Sequence, residues 1–555
     1  MAAVLGREFS LDELVATALV TPERAEDRVH EALREAVATH IVVPVGLGRY
    51  RFSHVLLRDR LYAELLPSVR AHLHFQAGHA SLARGESPLS AVHHLFEGAR
   101  PGTTERVAEV ALQAAEASLS RLAFEDAARL ARRALELPEA AALPDVLCAQ
   151  LRVVEAEALI NLGESQRGKT LCSEVAALAA RCASAELLAR AALVYGTELA
   201  SGTVDPQMVA LLRAALEALP ATDSSLRARV LARLSASLTP PQRDDIAEIL
   251  ALMREALAMA RRLSEPHALL YVLQFSATVG LLIPDSERFG LLLETLTLAR
   301  SLGQPLVELH VLPTYITALL AMGRRDDAEA VLPEYTERLG DSRQPVHRLR
   351  YLLIRALLAT LTGDYAEAET LAAEARALAL AARSKPAYFL FLTHRLSVAQ
   401  LRGEPALLLP DGPAFVQHFR VLRGAAAYVA WFCAGTGRSD EARERLAGVA
   451  LAAPEVPSAN LWELSGAAET CAVLGDAALG ESVYPELERA ADRMFWNTAP
   501  GALIGPSSRA LGDLALLLGR PQDAVRHYDA AIAFCERLRA PALVARCQRS
   551  REVAL

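Results

Sequence analysis

Residues Gly163 to Thr170, GESQRGKT, match the spacing Gly, four residues, Gly, Lys, Thr, by which a glycine-rich loop wraps phosphates in backbone amides and sets a lysine over them. That chemistry needs a buried strand before the loop and a helix after it, so that the amides converge at a helix amino terminus. The preceding LRVVEAEALINL instead places Glu155 and Glu157 among apolar residues at helical spacing, and reads as an amphipathic helix. Lys169 is thus expected on a solvated helix, and the chain is expected neither to bind nor to hydrolyse ATP. A second cluster, His72, His74, His79, His93 and His94, fits neither the HExxH nor the facial-triad pattern and reads as partly exposed structural histidines. Neither a GxSxG elbow nor a cysteine in a nucleophile context is present. Cysteines 148, 172, 182, 433, 471, 535 and 547 are odd in number and contain no CxxC pair. They indicate neither a zinc site nor a disulfide framework, and fit a reducing cytoplasm. The reading is a non-enzymatic chain with no metal site.

The elements around these residues follow a repeat. A glycine followed five residues later by a small residue occurs at Gly323 and Ala328, Gly363 and Ala368, Gly437 and Ala442, Gly475 and Gly480, and Gly519 and Ala524. The clearest copy, LTGDYAEAETLAAEARAL, has the turn and second helix of a tetratricopeptide-like hairpin, and the glycine intervals lie close to that repeat's period of about 34 residues. At Gly403 the small residue is replaced by Leu408. Gly163 and Gly168 fall on the same spacing, so the phosphate-loop match coincides with the repeat. An earlier copy, RLAFEDAARLARRALELP, keeps Phe124, Ala127, Ala134 and Pro138 and starts the array near residue 105. From about 185 to 300 the pattern is degenerate, although apolar spacing continues through Ile246, Leu250, Met253, Leu257 and Ala260.

Composition agrees with helices. Apolar residues form 52% of the 555 and aromatics 5%, a balance that favours packed helices over sheets. Net charge is −8 without like-charge runs, which argues against bulk nucleic-acid binding. Lys169 and Lys385 are the only lysines, a bias attributed to a GC-rich bacterial genome. The apolar stretch from Ala268 to Ile283 is broken by Gln274, Ser276 and Thr278 and reads as a buried repeat helix, not a membrane span. Ahead of the array, SLDELVATAL and residues Thr21 to Ala38 read as helices. HIVVPV, GLG and RYRF read as a β-hairpin, and VLLRDRLYAELL as a further helix with Leu56, Leu57, Leu61 and Leu65 on its apolar spacing. The expected architecture is all-α: a winged-helix unit at 1–67, linker helices at 68–104, degenerate tetratricopeptide-like repeats at 105–300 and clearer ones at 301–555. Interruptions are expected at Gly46 to Gly48, in GEPALLLPDGP from Gly403 and in NTAPGALIGPSS from Asn497. Unfolding is expected to be broad or stepwise, as for repeats that touch only their neighbours.

GREFSLDEL, RYRFSHVLLRDRLY, HLHFQAGHASLARG and AVHHLFEGA, together with GDAALGESVYPELERAADR and residues Gly501 to Arg551, resemble the part that follows the ATPase core in bacterial signal-transduction ATPases with numerous domains. The resemblance implies an upstream P-loop ATPase carrying ATP or ADP and an effector such as a transcription factor, cyclase or kinase. This sequence contains neither, and it begins close to where that core would end. The implied function is a regulatory arm whose concave repeat surface takes a protein, peptide or small-molecule inducer. The alternative is a freestanding scaffold that binds a peptide or protein. Phe52, Ser53 and His54 match the position at which such proteins use a histidine to sense the β-phosphate of ADP, while a simpler role for His54 is to cap or pack the helix start. Through residue 75 there are 9 arginines against 10 acidic residues, so the basic face of a DNA-binding winged helix is missing.

Overall fold

A computed structural model describes residues 1–17, 22–197, 204–239, 245–340, 345–381, 385–419, 425–447, 457–496, 499 and 501–555. By internal contacts the chain divides into Met1–Glu198 and Leu199–Leu555. Apart from two small sheets, both units are built of helical hairpins, so the fold is all-α and tetratricopeptide-like.

The first unit opens with α1 (Ala2–Leu5), β1 (Glu8–Ser10), α2 (Leu11–Ala16), α3 (Pro22–Ala38), β2 (Val42–Gly46), β3 (Arg49–Phe52) and α4 (Val55–Ala63). The expected hairpin is present as β2 and β3. β1, hidden in GREFSLDEL, adds an antiparallel edge and gives the order β1-β3-β2. Alternation places Phe9, Val42 and Phe52 on one face, where Ala3, Leu14 and Leu33 close a small core. Ser10 starts α2 with a capping box, its Oγ accepting from the Glu13 amide at 3.1 Å while its own amide donates to the Glu13 carboxylate at 2.6 Å. α4 departs from expectation. Its apolar spacing predicts a buried face, yet none of its nine residues is buried; Leu56 is 67% exposed, and Leu57 and Leu61 also face out. Its inward contacts come from the Arg58 Nε–H, which donates to the Ala3 carbonyl at 2.9 Å, and from the half-buried Tyr62.

Helical hairpins follow: α5 (Pro67–Ala83) with α6 (Pro88–Glu97), α7 (Thr104–Ser120) with α8 (Phe124–Leu135), and α9 (Asp145–Asn161) with α10 (Ser165–Arg181), then α11 (Ala185–Tyr195). The turn between α9 and α10 explains the repeat. Gly163 sits at φ +87°, its amide donating to Ile160 and the next amide to Leu159, the double bond of a left-handed helix end. Five residues on, Gly168 lies where a Cβ would stand 2.8 Å from the Ala156 carbonyl, so the crossing itself requires the small residue. In the α7–α8 turn Leu122 holds the glycine position at φ +60° with the same bonding and a 47% exposed side chain. Leu122→Gly should therefore stabilise the protein by about 1 kcal/mol, the cost of left-handed backbone for a residue with a Cβ. Denaturant unfolding measures it, and a loss of stability would contradict this account of the turn.

The second unit contains α12 (Pro206–Ala218), α13 (Ser225–Ser237), α14 (Ile246–Leu263), α15 (Pro266–Thr278), α16 (Asp285–Ser301), α17 (Pro305–Ala321), α18 (Arg325–Gly340), α19 (Pro345–Thr362), α20 (Tyr365–Ala381), α21 (Lys385–Arg402), α22 (Gly412–Phe419), α23 (Ala426–Gly435), α24 (Ser439–Ala447), α25 (Pro457–Leu474) and α26 (Ala477–Glu488). Next come β4 (Met494–Trp496), β5 (Leu503–Pro506), α27 (Ser507–Leu517), α28 (Pro521–Arg537) and α29 (Pro541–Ala554). The glycines at 323, 363, 403, 437, 475 and 519 all take φ between 69° and 89°, and Ala328, Ala368, Ala442 and Ala524 are buried at the paired crossings. The degenerate stretch is also hairpins, with Met253, Leu257 and Ala260 of α14 buried and Ile246 and Leu250 only half-buried.

Two expected interruptions take definite form. The segment from Gly403 is a 3₁₀ helix over Pro405–Asp411 that runs into α22, so Gly412 starts a helix where irregular chain was expected. Asn497, Thr498 and Pro500 lie outside the described residues, but β4 and β5 on either side pair antiparallel. The array also departs from neighbour-only contacts. α29 packs on α19 and α21, and the chain end runs along three glycine turns, with Arg537 beside Gly323, Ala542 beside Gly363 and Arg546 beside Gly403. Arg546 donates to the Leu401 carbonyl at 2.9 Å and Arg539 to Asp326 at 2.8 Å. Among the described residues no helix is long and apolar enough to cross a membrane.

Candidate functional site

The phosphate-loop motif is a helix–turn–helix: Gly163 is in the α9–α10 turn, and Gly168, Lys169 and Thr170 lie within α10. No strand precedes it, and the Lys169 ammonium lies 5.0 Å above the Tyr195 ring centroid. A neighbouring groove of about 400 Å³ is lined by Arg129, Arg132, Arg133 and Glu164. Its three arginines are bound to carboxylates, Arg129 to Asp126 at 2.6 Å, Arg132 to Glu155 and Arg133 to Glu97 at 2.8 Å. The cations that a phosphate would need are already neutralised.

The histidine cluster joins α4, α5 and α6. Tyr62 Oη lies 2.9 Å from His74 Nε2, and His74 Nδ1 lies 2.9 Å from His94 Nδ1. His74 is 3% exposed, and burial, reinforced by His94, lowers its pKa to about 4. His72 pairs with Arg100 at 2.9 Å, and His79 packs on Phe75. Among the described residues no group of three His, Cys, Asp or Glu is placed to hold a metal. His54 stands at the amino-cap position of α4 with an exposed side chain that makes no capping bond.

Sequence reasoning missed the inner face of α17, α19, α21 and α25. β4 packs on α17 and α25, and β5 on α21 and α27. Side chains of the inner helices bind the backbone of this extended segment. The Gly501 amide donates to Thr317 Oγ1 at 3.1 Å, His394 Nδ1–H donates to the Gly501 carbonyl at 3.1 Å, the Leu503 amide to Ser397 Oγ at 2.8 Å, and the Gly505 amide to Gln400 Oε1 at 3.0 Å. Residues 397 and 400 thus read Leu503 and Gly505, alternate positions of β5 whose amides point the same way, and His394 reads Gly501 in the turn before the strand. The hairpin's side chains are equally engaged. Phe495 stacks on Trp462 at 5.7 Å, and the Arg288 guanidinium lies 3.2 Å from the Trp496 ring centroid while Nη1 donates to the Trp496 carbonyl at 3.2 Å. Gln400 also meets Glu469, which pairs with Arg509; both charged residues are 3% exposed. This face of the repeat helices is covered by the chain's own hairpin. Its sequence signal was available: polar His394, Ser397 and Gln400 at three-residue spacing within FLFLTHRLSVAQL, an otherwise mostly apolar segment.

No family model matches the chain, and no curated protein matches it. Solved structures align over most of its length at low identity. One is the APC/C hetero-tetramer Cut9-Hcn1, 13% identical with a TM-score of 0.44, over 97% of this chain and 98% of that one. Another is yeast Tom70, 11% identical with a TM-score of 0.30, over 87% and 96%. A third is a monomeric mutant of IFIT1 with Gppp-AAAA, 14% identical with a TM-score of 0.29, over 83% and 90%. At these values the fold assignment rests on the chain's own hairpins.

Proposed function

We propose that the chain is a protein-binding regulatory arm of a signal-transduction ATPase, in which residues 1–67 act as a winged-helix relay between an ATPase module and the repeats. The observation that carries this reading is the element order α1-β1-α2-α3-β2-β3-α4 with strands in the order β1-β3-β2, the arrangement of a winged helix. The outward Leu56, Leu57 and Leu61 support a docking role, because an apolar face left uncovered marks an interaction surface. The exposed His54 stands at the edge of that face, free to reach a nucleotide on a docked module.

The test uses a fusion of the chain to an ATPase module of this kind. A histidine bonded to the β-phosphate of ADP stabilises the resting state by about 1.5–3 kcal/mol. His54→Ala should then speed ADP release roughly ten- to hundredfold and raise basal output, leaving the helical signal unchanged. Equal off-rates would remove His54 from the mechanism, and a module that releases ADP at the same rate with and without the fused chain would favour the freestanding scaffold. The same reading assigns the chain no catalysis of its own. The isolated protein should show no magnesium-dependent ATP binding, and Lys169→Ala should alter nothing beyond slight stability. Saturable binding abolished by that substitution would overturn this.

A further inference from the structure

One turn along α19 from the point where the hairpin tip meets it, three basic side chains gather, none of them bonded to a carboxylate among the described residues. Gly501 abuts the Leu353 carbonyl, to which a Cβ would come within 2.8 Å. Arg350 precedes Leu353 by three residues, so it lies on the same face of α19. Arg350 is 8% exposed and His347 fully buried, and the His347 ring meets that of His310, from α17, edge-on at 5.1 Å. Nε and Nη1 of Arg350 and both ring nitrogens of His347 have no hydrogen-bond partner. Tyr335 closes one side, its hydroxyl donating to the His347 carbonyl at 3.1 Å. The nearby acid, Glu308, is taken by Arg338 at 3.1 Å.

Elsewhere in the interior several buried arginines are matched, Arg395 by Glu369 at 3.1 Å, Arg325 by Glu329 at 2.7 Å and Arg509 by Glu469, while Arg288 has the ring and carbonyl of Trp496 in place of a carboxylate. Arg350 is bound neither to a carboxylate nor to a carbonyl among the described residues. A buried guanidinium without a counter-charge is strongly unfavourable, and orphaned donors in the interior call for an acceptor. His310 is only half-buried, and its Nδ1 faces the Leu306 carbonyl at 3.1 Å, so the cluster reaches solvent past its ring.

We propose that Arg350, His347 and His310 form an anion site for a small oxyanion, a carboxylate or phosphate group. The Arg350 guanidinium and a neutral His347 imidazole N–H, with the His310 ring beside them, suit an acceptor with several oxygens better than a halide. Bound there, the anion would neutralise the Arg350 guanidinium one turn along α19 from the hairpin tip. Because it makes no use of an ATPase module, the proposal stands or falls independently of the regulatory-arm reading.

The test is thermal unfolding of the full chain at pH 7 and fixed ionic strength in chloride, inorganic phosphate or acetate, followed by tryptophan fluorescence. Phosphate or acetate should raise the midpoint saturably, and the more effective of the two identifies the oxyanion class. Arg350→Met should abolish that response and, in chloride, unfold no earlier than the parent, because it removes an unpaired buried charge. Arg350→Lys, which keeps the charge, should retain the response with at least tenfold weaker half-saturation. Equal responses in parent and Arg350→Met, or none in the parent, would overturn the proposal and leave the cluster to water.

Discussion

Between pH 7 and pH 5 the second unit should lose about 4 kcal/mol of stability. His347 and His394 are fully buried, and desolvation, reinforced by Arg350 and Arg395 respectively, lowers each pKa to about 3. Both stay neutral in the native state, whereas in the unfolded chain they titrate near 6.5. Below pH 6.5 the unfolded state therefore binds more protons, and stability falls as pH falls until the native state also protonates near pH 3. At pH 5 each histidine contributes a loss of about 2 kcal/mol, from about 1.5 pH units at 1.36 kcal/mol per unit. His310 is shifted the same way by burial, and His74 gives the first unit a similar window between 6.5 and about 4. Trp431, Trp462 and Trp496 are the protein's only tryptophans and lie in the second unit, so their fluorescence reports its denaturant unfolding selectively. His394→Gln should reduce the slope by close to one proton. A midpoint unchanged from pH 7 to pH 5 would show that these histidines are hydrated.

Trp496→Ala should be the most damaging single truncation in the hairpin, at about 3–5 kcal/mol, the range for removing a buried aromatic. Trp496 is 3% exposed and stands against the Arg288 guanidinium, which is itself fully buried with its pKa lowered to about 9 by that burial. Truncation leaves a cavity and also takes the aromatic face from a cation that has no carboxylate bonded to it among the described residues, so the two losses compound. Leu47→Ala provides a contrast: that side chain is fully exposed at the β2–β3 turn, and its removal should cost less than about 0.5 kcal/mol. A cost below about 1 kcal/mol for Trp496→Ala would mean that the hairpin lies on the array without completing its core.

The helical hairpins were legible because their cause is local. A left-handed glycine and a small residue five positions later are fixed by the turn itself, so Gly323 with Ala328 and Gly363 with Ala368 could be read from spacing alone. Leu122 escaped the glycine pattern because hydrogen bonding to Ser118 and Leu119 imposes the same backbone on a residue that merely tolerates it. β1 was missed because three residues carry too little periodicity, and its pairing partner lies some forty residues away. The inner face was missed for the same reason on a larger scale. Ser397 and Gln400 are explained by Leu503 and Gly505, about 105 residues later, and no local rule links them. α4 shows the opposite failure. Its periodicity is real, but its own unit buries none of its nine residues.

The return of the chain end across the middle of the array also has a consequence for synthesis. Helices α17 to α21 emerge from the ribosome well before the hairpin and α29, which complete their inner face and cover their glycine turns. At about 5–20 residues per second, the stretch from Arg402 to Ala554 takes roughly 10–30 s to translate. For that interval the nascent middle repeats hold buried-type polar groups such as Ser397 and Gln400 without their strand, and an apolar edge without its last helix. The second unit therefore matures only once α29 has been made, as a high-contact-order body rather than by successive addition of repeats. Expression should accordingly depend on chaperone supply and tolerate poorly any deletion that removes α29.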